Sequence, residues 1–166
     1  MSLQRHFWAM MAIVMLPALA LAGGDAYPVD RPALVLHLSD DQTVQLTLQD
    51  LAKLPKRSLT VQDSPASAPV EWTGVDADAL FNSLNLQSPP YKLLRLQALN
   101  FYSVLIPRSD IEQFHPIIAY ARNGQPVPAH KSGPLFWIYP FDDYPELRTQ
   151  IHFSRAVWQL SDIYFE

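Results

Sequence analysis

Downstream of residue 22 the chain offers four histidines, a cluster of carboxylates and two closely spaced arginines as groups that could carry chemistry. His37, His115, His130 and His152 are scattered, with no pair at the spacing by which one helix face presents two ligands. A zinc site needs converging ligands, so these four do not form one by pattern. Asp142, Asp143 and Glu146 crowd an aromatic stretch and could move protons there, but a solvated loop face accounts for them more simply. Arg148 and Arg155 carry planar forks that match phosphate or carboxylate. They can serve an external anion, or they can pair with Asp142, Asp143 or Glu146 and hold the loop closed. The chain has no cysteine, no Gly-x-Ser-x-Gly elbow and no glycine-rich phosphate loop. On their own, these residues carry no enzyme signature.

The elements that must position them are legible. Phe136, Trp137, Tyr139, Phe141 and Tyr144 stand close together, interrupted by Pro134, Pro140 and Pro145. Proline cannot donate to a ladder, so the pattern predicts a short strand, Leu135 to Tyr139, opening into an ordered aromatic loop that returns through Arg148 and Arg155. Upstream, Leu34–Leu38 and Thr43–Leu48 predict a hairpin around residues 39–42. Asp50 is expected to cap a short helix, Leu51–Leu54, stopped by Pro55. Strands are expected at Ser58–Gln62 and Val70–Trp72, on either side of a Pro/Ser loop. A helix follows, capped by Asp76 and running through Leu84. Leu94, Leu96 and Ala98 alternate with polar residues in a half-buried strand that turns at Asn100 into Tyr102–Ile106. Ser109 is expected to cap a helical turn limited by Pro116. Ile117–Ala121 and Pro126–Pro128 flank Asn123-Gly124, a pair suited to positive φ in a two-residue hairpin turn. Short strands dominate and helices are brief, which predicts an α+β fold with a mostly β core.

Composition bounds the class. Arg5 and His6 precede an apolar stretch, Phe7–Leu16, and small residues follow at Ala18, Ala20 and Ala22. This is the pattern of a secretory signal peptide, too short for a membrane span of ~20 residues. Cleavage is expected after Ala22, with Ala20 as the alternative, leaving residues 23–166 as one soluble domain in a bacterial periplasm. Twelve basic residues against sixteen acidic ones give a net charge of −4, without charge blocks. That balance argues against nucleic acid or an anionic membrane as partner.

Taken in order, Trp72-Thr73-Gly74-Val75 with the helix after it, Ala98-Leu99-Asn100-Phe101-Tyr102, Ser132-Gly133-Pro134-Leu135, Tyr139-Pro140 and Val157-Trp158-Gln159-Leu160 with Ile163 resemble the sulfite-oxidase-type molybdopterin-binding domain. The resemblance spans roughly Leu34 to Phe165 and is nearest to small stand-alone secreted members. It implies that fold, with a cofactor pocket built by Trp72, Thr73, Gly74, Asn100, Tyr102, His130, Ser132, Gly133, Arg148 and Arg155. His130 enters because relatives often carry a histidine beside the cofactor there; a solvent-facing loop histidine is the other reading. Two departures stand out. The family's catalytic members place a molybdenum-ligating cysteine upstream of the Trp-Thr-Gly motif, where this chain reads Leu59 to Ser64 without a thiolate. Relatives also place a lysine before the closing tryptophan, where Val157 stands, leaving Arg155 as the nearby cation.

The resemblance therefore implies an exported ligand- or partner-binding module that takes molybdopterin or a similar anionic ligand, with no catalytic molybdenum. Two other readings stay open. One is a molybdopterin oxidoreductase whose metal takes oxygen from Asp63 or Ser64. The other is a periplasmic sensory accessory docking onto a membrane receptor. Trp72 and Trp158 are expected to be buried anchors.

Overall fold

A computed structural model describes residues 26–39, 41–62, 66–86 and 91–166. The expected leader, residues 1–22, and the oxygen donors Asp63 and Ser64 lie outside the described residues.

The chain opens with β1 (Pro32–Ser39) and β2 (Gln42–Thr47), an antiparallel hairpin. Alternation explains its burial: Leu34 and Leu36 are fully covered, while Val35 and His37 face outward and are half-buried. Helix α1 (Leu48–Ala52) begins earlier than expected. Its cap is Thr47, whose hydroxyl accepts from the Asp50 N–H, and Asp50 answers by accepting from the Thr47 N–H. Asp50 is thus the third residue of a capping box rather than the cap. Strands β3 (Lys56–Val61) and β4 (Val70–Asp76) pair along their full length. Asp76 caps α2 (Ala77–Ser83) as expected, accepting from the N–H groups of Asp78 and Ala79.

β5 (Leu93–Ala98) and β6 (Ser103–Pro107) form a second hairpin. Helix α3 (Arg108–Phe114) starts directly from Pro107 with no side-chain cap, so the expected cap at Ser109 is not made; proline's fixed φ starts the turn instead. β7 (Ile117–Arg122) turns through Asn123 (φ 48°) and Gly124 (φ 74°) into β8 (Gln125–Pro126), the hairpin that the Asn-Gly pair predicts. After β9 (Phe136–Ile138) comes a 3-10 turn (Pro145–Leu147) and then α4 (Gln150–Arg155), capped by Thr149. The chain ends with β10 (Val157–Trp158) and β11 (Leu160–Phe165).

Two sheets result. One has the order β2-β1-β11-β5-β6, and the other has the order β10-β9-β7-β4-β3 with β8 beside β7. The first and last strands, β1 and β11, pair in parallel. The closing segment changes sheets at Gln159, whose φ is 55°. Its N–H donates to the Ser132 carbonyl (2.9 Å), its carbonyl accepts from the Leu99 N–H (2.9 Å), and its side chain donates to the Ala129 carbonyl (2.7 Å). The β8–β9 connection and the β5–β6 turn are thereby tied to the seam where Trp158 leaves one sheet and Leu160 enters the other. The core is aliphatic and aromatic, with Phe81, Trp137 and Tyr139 its largest fully buried side chains. The structure is mixed and mostly sheet, as an α+β class requires. Among the described residues no helix is long and apolar enough to cross a membrane.

Candidate functional site

A pocket of about 230 Å³ opens on the sheet that carries β4, β7 and β9. Trp72 on β4 forms its floor and is 4% exposed. Directly across the ladder stands Arg122 on β7, its guanidinium 5.6 Å from the Trp72 ring centroid. The next wall comes from another cross-strand pair: Trp158 of β10 lies flat on Phe136 of β9, centroids 3.6 Å apart and planes 8° from parallel. Trp72 meets both rings edge-on, at 4.9 and 5.3 Å. Phe141 and Phe153, stacked at 4.9 Å, close the far side.

Arg148 lines the same pocket and is held from behind. Its Nη2 donates to the Asp142 carboxylate, and the other Asp142 oxygen accepts from the Gln62 N–H at 2.9 Å. The aromatic loop is thus clamped to the end of β3, the internal pairing that its composition allows. Arg155 behaves differently. Its Nη1 donates to Asp110 Oδ2 at 2.7 Å, and the Tyr139 hydroxyl donates to the same oxygen at 3.1 Å. The partner is neither Asp142, Asp143 nor Glu146 but a buried aspartate on α3, 45 residues upstream. Burial, reinforced by the Asp110 charge, pushes the Tyr139 phenol far above its ordinary range, so it stays a donor. Arg155 is therefore a scaffold ion pair that ties α4 to α3, and it lines none of the depressions described here.

Two shallower depressions extend the pocket. One of about 200 Å³ shares Trp72 and Arg122 and adds Lys131 and Ser132. The other, of about 280 Å³, shares Phe153, Ala156 and Trp158 and adds Asn100, Tyr102 and Gln159. The three form one groove that passes over Trp158. Of the residues expected at the site, it gathers Trp72, Asn100, Tyr102, Ser132 and Arg148.

The others have different occupations. Thr73 points away from Trp72, its hydroxyl 2.9 Å from that of Ser58. Gly74 is glycine for packing: a Cβ there would lie 2.1 Å from the Ile118 carbonyl oxygen, at the bulge where β4 meets β7. Gly133 has the same reason, since its Cβ would lie 1.9 Å from the Val127 carbonyl oxygen. His130 is exposed and lines none of the three depressions. Trp158, expected to be buried, is 45% exposed; stacking covers one face and leaves the other open. The residue that sequence reading passed over is Arg122, hidden in the Asn-Gly turn. It is the one charged side chain of β7, next to the glycine turn, and that was the available signal.

An aromatic floor and walls with two guanidinium groups suit a flat, anionic molecule. Arg122 and Lys131 have no carboxylate partner among the described residues, so their charge is available. A pterin with a phosphate fits this donor set. For its molybdenum the chain offers no thiolate, having no cysteine, and the oxygen donors Asp63 and Ser64 lie outside the described residues. Among the described residues no three His, Asp or Glu side chains gather as metal ligands.

No protein-family model and no curated protein matches the chain. Among solved structures it is similar to the sulfane dehydrogenase SoxCD from Paracoccus pantotrophus, with a TM-score of 0.59 and 14% identity. The match covers 79% of this chain and 37% of that one, so this chain spans well under half of its neighbour's length. At this identity the likeness is one of fold, and the fold of this chain is distantly sulfite-oxidase-like.

Proposed function

We propose that this chain is an exported binding module, in the periplasm of a bacterium, for a planar anionic ligand of the pterin-phosphate kind, acting without a molybdenum redox centre of its own. The observation that carries this reading is Arg122: an unpaired guanidinium beside the Trp72 indole, facing a pocket walled by Phe136 and Trp158. A flat heterocycle gains stacking from the open face of Trp158, an aromatic pair being worth ~0.5–1.5 kcal/mol beyond area burial. The guanidinium fork adds charge-assisted hydrogen bonds to a phosphate or carboxylate. The distant fold likeness to a dehydrogenase agrees with a cofactor pocket here. The missing thiolate argues for binding without metal-centred turnover.

Protein purified from its native compartment tests this by mass spectrometry together with elemental analysis. A co-purifying pterin or similar anion with substoichiometric molybdenum is expected. About one molybdenum per chain would favour the oxidoreductase reading, with oxygen ligation through Asp63 or Ser64.

A further inference from the structure

We infer that the groove's open end, lined by Tyr102 and Trp158 and adjoined by the hairpin tip that carries Phe101, is a docking lip for an acidic segment of a partner protein. The hairpin between β5 and β6 sets Phe101 at its tip with φ 67° and 82% exposure. This conformation is costly for a bulky residue and favours glycine or asparagine. It is enforced from both sides: the Phe101 N–H donates to the Ala98 carbonyl, and the Tyr102 N–H donates to the Asn100 side chain, at 2.9 and 3.0 Å. The hairpin thus holds a phenyl ring out in water, and packing within this chain does not explain why.

The surroundings are equally apolar. Tyr102, Phe153 and Trp158, which line the same depression, are each between 44% and 50% exposed. The Tyr102 hydroxyl donates to the Ser154 carbonyl at 2.7 Å, fixing that ring against α4. Rigid, exposed aromatic side chains gathered in this way mark an interaction surface.

Shape and charge select the occupant. The pocket and the depression beside it share Phe153, Ala156 and Trp158, so they adjoin, and a peptide segment can place one side chain in each. No residue lining the groove is a carboxylate, although acidic residues outnumber basic ones in the whole chain. Its charged members are Arg122, Lys131 and Arg148, and only Arg148 is neutralised, by Asp142. A cationic groove on an anionic protein attracts an acidic partner and repels further copies of this chain.

This proposal shares Arg122 with the ligand reading, but Phe101 does not line the ligand pocket, so the two can fail separately. The probe is a fluorescently labelled synthetic peptide alternating aspartate or glutamate with phenylalanine, compared with its lysine-containing counterpart. Anisotropy is expected to show saturable binding of the acidic peptide, at least about tenfold weaker for the basic one, and weakening with added salt. Phe101→Asn, which removes the ring and suits the left-handed backbone, is expected to weaken peptide binding about tenfold while leaving thermal stability equal or higher. Capture of a pterin phosphate by that variant should be unchanged. No binding of the acidic peptide, equal binding of both peptides, or full binding by Phe101→Asn would overturn the proposal. So would preferential binding to phosphatidylglycerol vesicles, which would make the lip a membrane contact.

Discussion

Replacing Arg155 by methionine isolates the contribution of the α3–α4 ion pair, because methionine keeps most of the stem's apolar contact and removes only the charge. In the native structure Asp110 is buried and its Oδ2 accepts two hydrogen bonds, from Arg155 at 2.7 Å and from Tyr139 at 3.1 Å. The variant leaves that carboxylate facing a phenol alone. Breaking one side of a buried pair costs ~3–5 kcal/mol. The Arg155 side chain is 21% exposed, so water can partly replace it, and the lower figure of about 3 kcal/mol applies. For a domain of this size that is a fall in Tm of about 10 °C. Asp110→Asn removes the stranded charge as well. The double variant should therefore lose about 2 kcal/mol less than the sum of the single losses. Urea denaturation read at constant slope, with the full double-mutant cycle, measures this coupling. Pterin-phosphate affinity measured well below the melting transition should be unchanged. An Arg155→Met protein that melts like wild type, or one that keeps its stability and loses the ligand, would refute the scaffold role and return Arg155 to the binding site.

Three further outcomes follow from the geometry. Gly74→Ala should cost about 3 kcal/mol, or abolish folding, because its Cβ overlaps the backbone of β7; soluble yield and urea midpoint report it. Trp72→Ala should cost ~3–5 kcal/mol, whereas Trp158→Ala, half open to solvent, should cost only about 1 kcal/mol while still removing ligand, as paired melting and binding assays would show. Burial raises the Tyr91 phenol to about 12 and pushes Tyr139 further still. Raised acids stabilise fully below the unfolded value of ~10 and lose that contribution as pH climbs past it. Stability should thus fall from about pH 10 upward, and absorbance titration of tyrosinate should show these phenols ionising late or only on unfolding.

Local rules carried most of the fold. Alternation placed β1 and β5, an apolar run beside the Asn123-Gly124 pair placed β7 and its hairpin, and Asp76 capped α2, because each depends on residues within one turn or strand. The failed caps show the limit of such rules. Thr47 and Asp50 are both good capping residues, and only backbone conformation decides which one takes the cap. α3 needed no side-chain cap because Pro107 had already set the chain direction. The site was half legible for a related reason. Trp72, Asn100, Tyr102 and Ser132 sit in motifs whose order betrays them, and Arg148 is flagged by the aromatic loop it closes. Arg122 reaches the pocket only because β7 is registered against Trp72. Arg155 leaves the pocket only because Asp110, distant in sequence, packs against it. Both are matters of strand and helix pairing, which no short window contains.

The central claim is that Arg122 and the aromatic wall hold a planar anion, and calorimetric titration of the chain with a pterin monophosphate tests it most directly. The account predicts one saturable site per chain, with affinity falling about tenfold or more in Arg122→Gln through loss of a charge-assisted contact worth ~1.5–3 kcal/mol. No heat of binding to the wild-type chain, or equal affinity in Arg122→Gln, would contradict it.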